Sequence, residues 1–393
     1  MLQAKTKDGT LIIPAKLTRT ELEKIRQKTF YCPVCHERVI LKAGQHVMPH
    51  FAHYEKKNCP STQGGEGPYH ERGKLILYHW LKKQHISAKL EPYIHSIQQQ
   101  PDILLTIRQK KIAIEFQCSR ISSEIIRKRN SGYRKANIEP IWILGEKLLK
   151  RRSKKMILLD SFTKQFIHQF SPSFPLTLFY FCPTTQTFTQ VQRINLLKQT
   201  LAYAQLRQAH LSQITFLDLF TKQSFDKKTF FETLKRMKRN FRIYPLSQPY
   251  GRVLAWYNWL YAKQTHVQYL PAHVYLPLPS QIYMKTPLWD WQSRFCLDIV
   301  HPAPVNAAIP LSFCQNYFRR VMKPLNNFPL IKHLPEPMFA YLKLLESFNI
   351  VKQIDNYTFI KTKQLKFPNH VEQAVEMDQQ LLHEMYEKTS FKV

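Results

Sequence analysis

The chain has 393 residues, enough for two or three domains, and its 58 Lys and Arg against 27 Asp and Glu give a formal net charge of +31. With 44% hydrophobic and 13% aromatic residues it can fold around packed cores, so this charge indicates a polyanionic partner and not a disordered polymer. Only nine glycines occur, and neither G-x-G-x-x-G nor the P-loop motif is present, which argues against nucleotide-driven chemistry.

The apolar stretches of the chain are too short for a membrane helix, which needs about 20 residues. The first thirty residues contain no apolar segment of the kind found in signal peptides. Seven cysteines do not make the even, dense framework of a disulfide-rich secreted protein. We therefore expect no membrane span and a cytoplasmic, reducing compartment.

Changes in composition and the positions of Gly and Pro divide the chain into three predicted domains, 1–62, 63–150 and 151–393. The first holds a cluster of Cys and His, the second alternates helical and strand patterns, and the third is basic, aromatic and broken by prolines. Apolar periodicity predicts that the third is mainly helical, with helices near 191–212, 226–240, 250–264, 310–323 and 335–348. Five acids without a Lys or Arg between Glu372 and Glu387 predict an acidic last helix.

Two pairs of ligand residues in the first domain indicate a structural zinc site. Cys32-Pro33-Val34-Cys35 is followed by His50-Phe51-Ala52-His53, and zinc in proteins takes four N or S ligands in a tetrahedron. The predicted ligands are Cys32, Cys35, His50 and His53. Three further residues could each replace one of them: Cys59, His36 and His46. A redox role for the C-x-x-C pair is disfavoured because no thioredoxin-like βαβ pattern follows it.

The second domain reads as helix, three strands, helix and strand. The pattern predicts a helix over 68–84, an extended segment at 88–97, strands at 102–107 and 111–117, a helix that Ser122 or Ser123 caps and that runs to about 133, and a strand at 141–144. The turns between the three strands are short, so we expect them to be adjacent and antiparallel. The predicted class is therefore α/β with an αβββαβ core.

Acidic residues sit where two of these strands approach the same edge. Pro101-Asp102 opens one strand and Glu115-Phe116-Gln117 closes the next. Because side chains alternate along a strand, Glu115 and Gln117 share a face on which Asp102 can meet them across the hairpin. Two such carboxylates are suited to Mg²⁺ and phosphodiester hydrolysis, since Mg²⁺ prefers hard oxygen ligands.

The preceding helix offers three more polar residues at intervals of four: Glu66, His70 and Lys74. Glu66 can add a carboxylate to the metal site, and His70 can orient water or contact a phosphate. Gly67-Pro68 places the start of the helix at Pro68, which leaves Glu66 at its entrance.

In this order of motifs the chain resembles the competence protein CoiA family. The resemblance covers the Phe30–Cys35 and Pro49–His53 motifs, which look like the zinc-finger-like module of that family, and residues 66–145, which look like its nuclease-like domain. That domain is similar to the PD-(D/E)xK restriction-endonuclease-like superfamily.

The resemblance implies a fold, a chemistry and a biological role. It implies Asp102 and Glu115 as the acids of the site, Glu66 and His70 as the helix motif, and Ser119, Arg129 and Tyr133 as the polar residues after the E-x-Q strand. It also implies handling of internalised single-stranded DNA in natural transformation. Gln117 stands where the superfamily usually has a lysine, and Lys74, Arg129 or Lys111 are candidates to supply the missing positive charge.

Two basic clusters are predicted to bind DNA. The first follows the E-x-Q strand and the second is flanked by phenylalanines, of which Phe230 and Phe231 are expected in the core. The predicted DNA-binding residues are Lys74, Lys111, Arg127, Lys128, Arg129, Tyr133, Arg134, Lys135, Lys235, Arg236, Lys238 and Arg239. Trp256, Tyr257, Trp259 and Tyr261 have helical spacing and are expected to be core residues.

Three hypotheses remain at this point. The first is a Mg²⁺- or Mn²⁺-dependent deoxyribonuclease in which Asp102 and Glu115 bind the metal and Gln117 and His70 position water or phosphate. The second is a non-catalytic module that binds single-stranded or branched DNA and works with recombination proteins. The third is a protein-interaction factor whose basic surface meets an acidic partner.

Overall fold

The computed structural model describes residues 1–44, 48–54, 59, 67–244 and 249–388. Two residues named above, His46 and Glu66, lie outside them. The described residues form a five-stranded, a nine-stranded and a three-stranded sheet. None of the helices in these ranges combines the length and the apolar character that crossing a membrane requires.

The N-terminal sheet is antiparallel throughout and has the order β2-β1-β3-β4-β5. Its strands are β1 (Ala4–Lys5), β2 (Leu11–Ile12), β3 (Phe30–Tyr31), β4 (Arg38–Lys42) and β5 (His50–His53). Helix α1 (Arg19–Ile25) begins with a capping box between Thr18 and Glu21. Phe30 and Phe51 pack with ring centroids 4.8 Å apart. A core this small is typical of modules that gain stability from a metal or a cross-link.

The nine-stranded sheet has the order β10-β11-β14-β13-β12-β9-β8-β7-β6. Its strands are β6 (Ser87–Leu90), β7 (Ile103–Ile107), β8 (Lys110–Gln117), β9 (Ile138–Gly145), β10 (Lys150–Arg151), β11 (Met156–Leu158), β12 (Thr177–Cys182), β13 (Thr187–Leu196) and β14 (Leu201–His210). Strand β9 pairs in parallel with β8 on one side and β12 on the other, and the remaining pairings are antiparallel.

Two helices pack on opposite faces of this sheet. Helix α2 (Pro68–Lys83) contacts β8 on the face of Phe116, where an added Cβ at Gly73 would lie 2.0 Å from that ring. Helix α3 (Ser123–Lys135), capped by Ser122, lies on the opposite face, toward which Glu115 points. From α2 to β9 the elements follow the predicted order of helix, three strands, helix and strand.

The sheet crosses the domain boundary predicted at 150, because β12 joins β9 directly. The helix predicted at 191–212 is wrong, since this stretch belongs to the hairpin of β13 and β14. Buried polar residues obscured the alternation of apolar and polar residues that would have identified β13 as a strand. The buried amides of Gln190 and Gln192 donate to the carbonyls of Leu219 and Thr221, which satisfies them without exposure to water.

The C-terminal region is helical with one small sheet. Its helices are α4 (Lys227–Ile243), α5 (Gly251–Ala262), α6 (Leu288–Arg294), which continues as a π-helical turn over Phe295–Val300, α7 (Leu311–Phe318), α8 (Pro337–Ser347) and α9 (Val371–Glu387). Its strands are β15 (Ala308–Pro310), β16 (Val351–Gln353) and β17 (Thr358–Lys361). Phe230 and Phe231 lie in the core as predicted, whereas Tyr261, expected there, is 86% exposed.

Candidate active site and metal centre

The carboxylates of Asp102 and Glu115 come from opposed positions on neighbouring strands. Ile103 of β7 pairs with Ile114 of β8, so the residues just outside this pair face each other at the end of the hairpin. The backbone N–H of Phe116 donates to Asp102 Oδ2 at 2.7 Å and fixes that side chain. Asp102 is 8% exposed and Glu115 4%, so both acids are nearly removed from water.

Two residues of α2 face Asp102. His70 Nε2 lies 3.5 Å from Asp102 Oδ2, and the imidazole stacks on the ring of Phe116 with centroids 5.7 Å apart. Lys74 Nζ lies 3.7 Å from Asp102 Oδ1. Lys74 is only 1% exposed, so it is a residue of the buried site and not of the basic surface. Its position one turn after His70 turns it toward the sheet.

Two residues of α3 hold Glu115. Its Oε1 accepts hydrogen bonds from Arg129 Nε at 3.1 Å, from Arg129 Nη2 and from the hydroxyl of Tyr133. Burial raises the pKa of Glu115 to about 7, with a further contribution from Asp102, although Arg129 acts in the opposite direction. Tyr133 is fully buried, so its predicted contact with DNA is wrong.

Gln117 and Lys111 lie on the same strand but away from the two acids. The Gln117 amide donates to the Ser119 carbonyl at 2.8 Å. Lys111 pairs with Thr106 near the start of β8, about 13 Å along the strand from Glu115. Lys74 is therefore the lysine that the structure brings to Asp102.

Glu91, which was not among the predicted site residues, completes the surroundings of Lys74. Glu91 Oε1 lies 2.5 Å from Lys74 Nζ, and Glu91 Oε2 accepts the backbone N–H of Leu2 at 2.9 Å. Its backbone has a positive φ of 44°. The available signal was its position directly after β6, the strand that pairs with the strand following Asp102.

Four side chains of the N-terminal module form a compact group of metal-ligating atoms: Cys32, Cys35, His53 and Cys59, within 4.8 Å of one another. Cys32 Sγ lies 3.8 Å from Cys59 Sγ, and Cys35 Sγ lies 3.3 Å from His53 Nε2. A tetrahedral zinc ion with bonds of about 2.0 to 2.3 Å needs ligand separations of about 3.5 to 3.8 Å. The donor set and its spacing therefore fit zinc.

The predicted ligand His50 lies outside this group, and Cys59 takes its place. His50 and His53 are three residues apart on β5, so their side chains leave opposite faces of the strand. His50 Nδ1 lies instead 2.9 Å from the carbonyl oxygen of Met48.

The two basic clusters differ in exposure. On α3, four basic residues are exposed: Arg127, Lys128, Arg134 and Lys135. On α4, Lys235, Arg236 and Arg239 are exposed, but Lys238 is 2% exposed. Lys238 Nζ lies 3.0 Å from Asp378 and donates to the carbonyls of Ala272 and Val274, so the prediction that it binds DNA is wrong.

The fold and the paired carboxylates define an α/β protein with a nuclease-like domain and an N-terminal metal-ligand module. Residues 66–224 match the family description "Competence protein CoiA, nuclease-like domain", and residues 14–62 and 225–375 match the N-terminal and C-terminal domains of the same family. The chain is 30% identical over 300 residues to Competence protein CoiA of Bacillus subtilis (strain 168). The aligned region covers 75% of this chain and 79% of that protein. The chain belongs to the competence protein CoiA family. No solved structure matches it significantly.

Proposed function

We propose that this protein is a divalent-metal-dependent deoxyribonuclease that acts on internalised DNA during natural transformation. The observation that carries the proposal is the meeting of Asp102 and Glu115 at one end of the β7–β8 hairpin, with Lys74 Nζ 3.7 Å from Asp102. The proposed core is restriction-endonuclease-like, and the proposed compartment is the cytoplasm, where reducing conditions keep thiols available as metal ligands.

The proposed metal site is built from hard oxygen donors, which fit Mg²⁺ or Mn²⁺. Arg129 and Tyr133 both bind Glu115 Oε1, and within the described ranges Oε2 accepts no hydrogen bond, so this oxygen is available to a cation. A bound divalent ion would supply Lewis-acid activation of a phosphodiester. Glu66 is a further proposed ligand that lies outside the described residues.

The side chains of α2 supply what Gln117 cannot. Lys74 is proposed to place its positive charge beside the reacting phosphate, in the role that a lysine at position 117 would have. Glu91 keeps Lys74 positioned, and His70 is proposed to orient water or phosphate from its place beside Asp102. The exposed basic residues of α3 and α4 are the proposed contacts to the DNA backbone.

A second candidate function is a non-catalytic, single-stranded DNA-binding protein that assists recombination proteins. The neutral Gln117, whose amide is bound to Ser119, favours it, because the usual lysine of such sites is absent from this position. The two functions share the same DNA-binding surface and differ only in turnover.

Cleavage of single-stranded, duplex and branched DNA with Mg²⁺ or Mn²⁺ tests the enzyme. Asp102→Asn and Glu115→Gln should each lower the rate at least about 100-fold, since each removes a charged donor. Lys74→Met should lower it with little change in metal affinity. Glu124→Gln, an exposed acid in the first turn of α3, is the matched control. Wild-type turnover equal to that of Asp102→Asn would refute the assignment, and DNA binding without turnover would favour the second function.

We also propose that Cys32, Cys35, His53 and Cys59 hold a structural zinc ion. Elemental analysis should find about one zinc per chain in the wild type and close to none in Cys59→Ser. His50→Ala is the control and should keep its zinc, because His50 lies outside the cluster. Loss of zinc from His50→Ala but not from Cys59→Ser would contradict the proposed ligand set.

A further inference from the structure

Five cations from separate parts of the chain lie around the two backbone segments that meet near Lys285. They are Lys164, Arg252, Lys285, Arg320 and Lys323. Lys164 comes from the segment after β11, Arg252 from the first turn of α5, and the other three from the segments that follow Tyr283 and Phe318. The last two segments run side by side, with an antiparallel bridge between Met284 and Met322.

A continuous series of hydrogen bonds connects four of these residues. Lys164 Nζ donates to the Gln199 carbonyl at 2.6 Å, and the Gln199 amide donates to the Lys285 carbonyl at 2.7 Å. Arg252 Nη1 donates to the same Lys285 carbonyl at 3.2 Å, and Lys285 Nζ donates to the Arg320 carbonyl at 3.0 Å. Four of the five, Lys164, Arg252, Lys285 and the backbone of Arg320, are therefore linked through neutral carbonyl and amide groups. Lys323 Nζ donates separately to the Ile282 carbonyl at 3.1 Å.

No carboxylate balances this charge. Within the described chain none of the five makes an ion pair, and Asp160, which acts on Lys164, is itself bound by Arg120. The cations act on one another: Lys285 adds to the effect of burial in lowering the pKa of Lys323, and Lys323 adds to burial in lowering that of Lys164 to about 8. A concentration of positive charge of this kind favours the binding of an anion.

The cluster adjoins the nuclease-like domain on one side. Arg127 of α3 lies within hydrogen-bonding distance of Asn327 Oδ1, at 3.4 Å, four residues after Lys323. The basic surface of α3 therefore extends through Lys323 and Lys285 to Arg252 in α5.

Helix α5 begins with an exposed aromatic ring beside the cluster, because Tyr250 lies two residues before Arg252. Tyr250, Leu254 and Tyr261 follow the spacing of one helical face and are exposed, the tyrosines by 85% and 86%. Leu254 and Tyr261 lie about 180° around the helix axis from Arg252, so Tyr250 is the ring next to the cations. An exposed ring beside cations without ion pairs is a combination that binds single-stranded nucleic acid by stacking and phosphate contact.

We propose that Arg252, Lys285, Arg320 and Lys323 form a phosphate-binding track that guides single-stranded DNA between α3 and Tyr250 at the start of α5. Lys164 is 5% exposed and adds positive charge without contacting the DNA. The track lies outside the carboxylate site and rests on the proposed function only in that DNA is the ligand. Because the bases would stack on α5 while the phosphates follow the cations, the track favours single strands over duplexes.

Binding of a fluorescent oligo-dT of about 40 nucleotides to the full chain at several salt concentrations tests the track. The variant Arg252→Gln/Lys285→Gln/Arg320→Gln should bind at least about tenfold more weakly at low salt. Its log–log salt slope should fall by about 2, the loss expected for three contacts to a single strand. The matched control Lys352→Gln/Lys363→Gln/Lys366→Gln removes the same charge from exposed positions elsewhere in the C-terminal region and should keep the wild-type slope.

A second measurement does not depend on how the variant folds. Photocrosslinking of the wild type to bromodeoxyuridine-substituted oligonucleotides should label the peptide that contains Tyr250, and duplex DNA should label it less. Equal binding by the two triple variants, equal labelling by duplex and single strands, or crosslinks confined to the nuclease-like domain would overturn the track. Binding and cleavage are measured on the same wild-type preparation: binding without cleavage leaves the track standing, whereas a wild type that does not bind DNA overturns both proposals.

Discussion

Helices α3 and α4 are similar basic helices in the sequence but have different surroundings in the fold. On α3 a single basic residue, Arg129, turns inward to Glu115, while the other four remain exposed. On α4 both Lys238 and Arg242 turn inward to Asp378 of α9 and to backbone carbonyls. Which lysines and arginines can meet DNA is therefore decided by acids that lie far away along the chain.

The largest expected effect comes from removing the acid between α4 and α9. Asp378→Ala leaves Lys238 and Arg242 buried without their carboxylate, so unfolding free energy should fall by about 3 to 5 kcal/mol in urea titrations. Glu372→Ala, at an exposed acid of the same helix, should change it by less than about 0.5 kcal/mol. A small effect of Asp378→Ala would mean that the two helices do not differ in the way described.

The acid facing α3 should instead make stability depend on pH. The pKa of Glu115 is raised from 4.5 to about 7, so the folded state holds its proton more tightly than the unfolded state. Its contribution is present below pH 4.5 and is lost as pH rises through 7, by about 3 kcal/mol. The difference in unfolding free energy between wild type and Glu115→Gln, measured from pH 4.5 to 8, should show this loss; a flat difference would contradict the raised pKa.

The exposed cations of α3 should affect binding without affecting folding. Replacing Arg127, Lys128, Arg134 and Lys135 by Gln should lower the log–log salt slope for single-stranded DNA by about 3. Lys238→Gln should leave that slope unchanged and lower the unfolding free energy by about 1 to 3 kcal/mol, because its carbonyl partners lose a buried charged donor. Binding titrations and urea titrations on the same preparations separate the two effects.

The smallest effect is expected at the exposed ion pair of α4. Lys235 and Glu232 lie 3.3 Å apart on the helix surface, and Lys235→Gln should change the unfolding free energy by no more than about 0.5 kcal/mol. A larger loss in urea titrations would place Lys235 among the residues that hold α4 in the fold.

The sequence predicted the parts of the structure that depend on near neighbours. Ser122 caps α3, α2 begins at Pro68, and the hairpin opposes the acids at 102 and 115, because caps, turns and alternation act within a few residues. Cys59, Glu91 and the burial of Lys238 were not predictable in this way. Each depends on a partner supplied by a distant segment, and the alternation of β13 is obscured by buried glutamines with distant carbonyl partners.

Glu91 connects the N-terminal module to the nuclease-like domain thermodynamically. One of its carboxylate oxygens binds Lys74, and the other accepts the N–H of Leu2. Leu2 lies two residues before β1, β1 pairs with β3, and Cys32 directly follows β3. An interaction that orders the small sheet therefore also favours the position of Glu91 and, through it, that of Lys74. If both proposed metal sites are filled, linkage predicts that binding at one favours binding at the other.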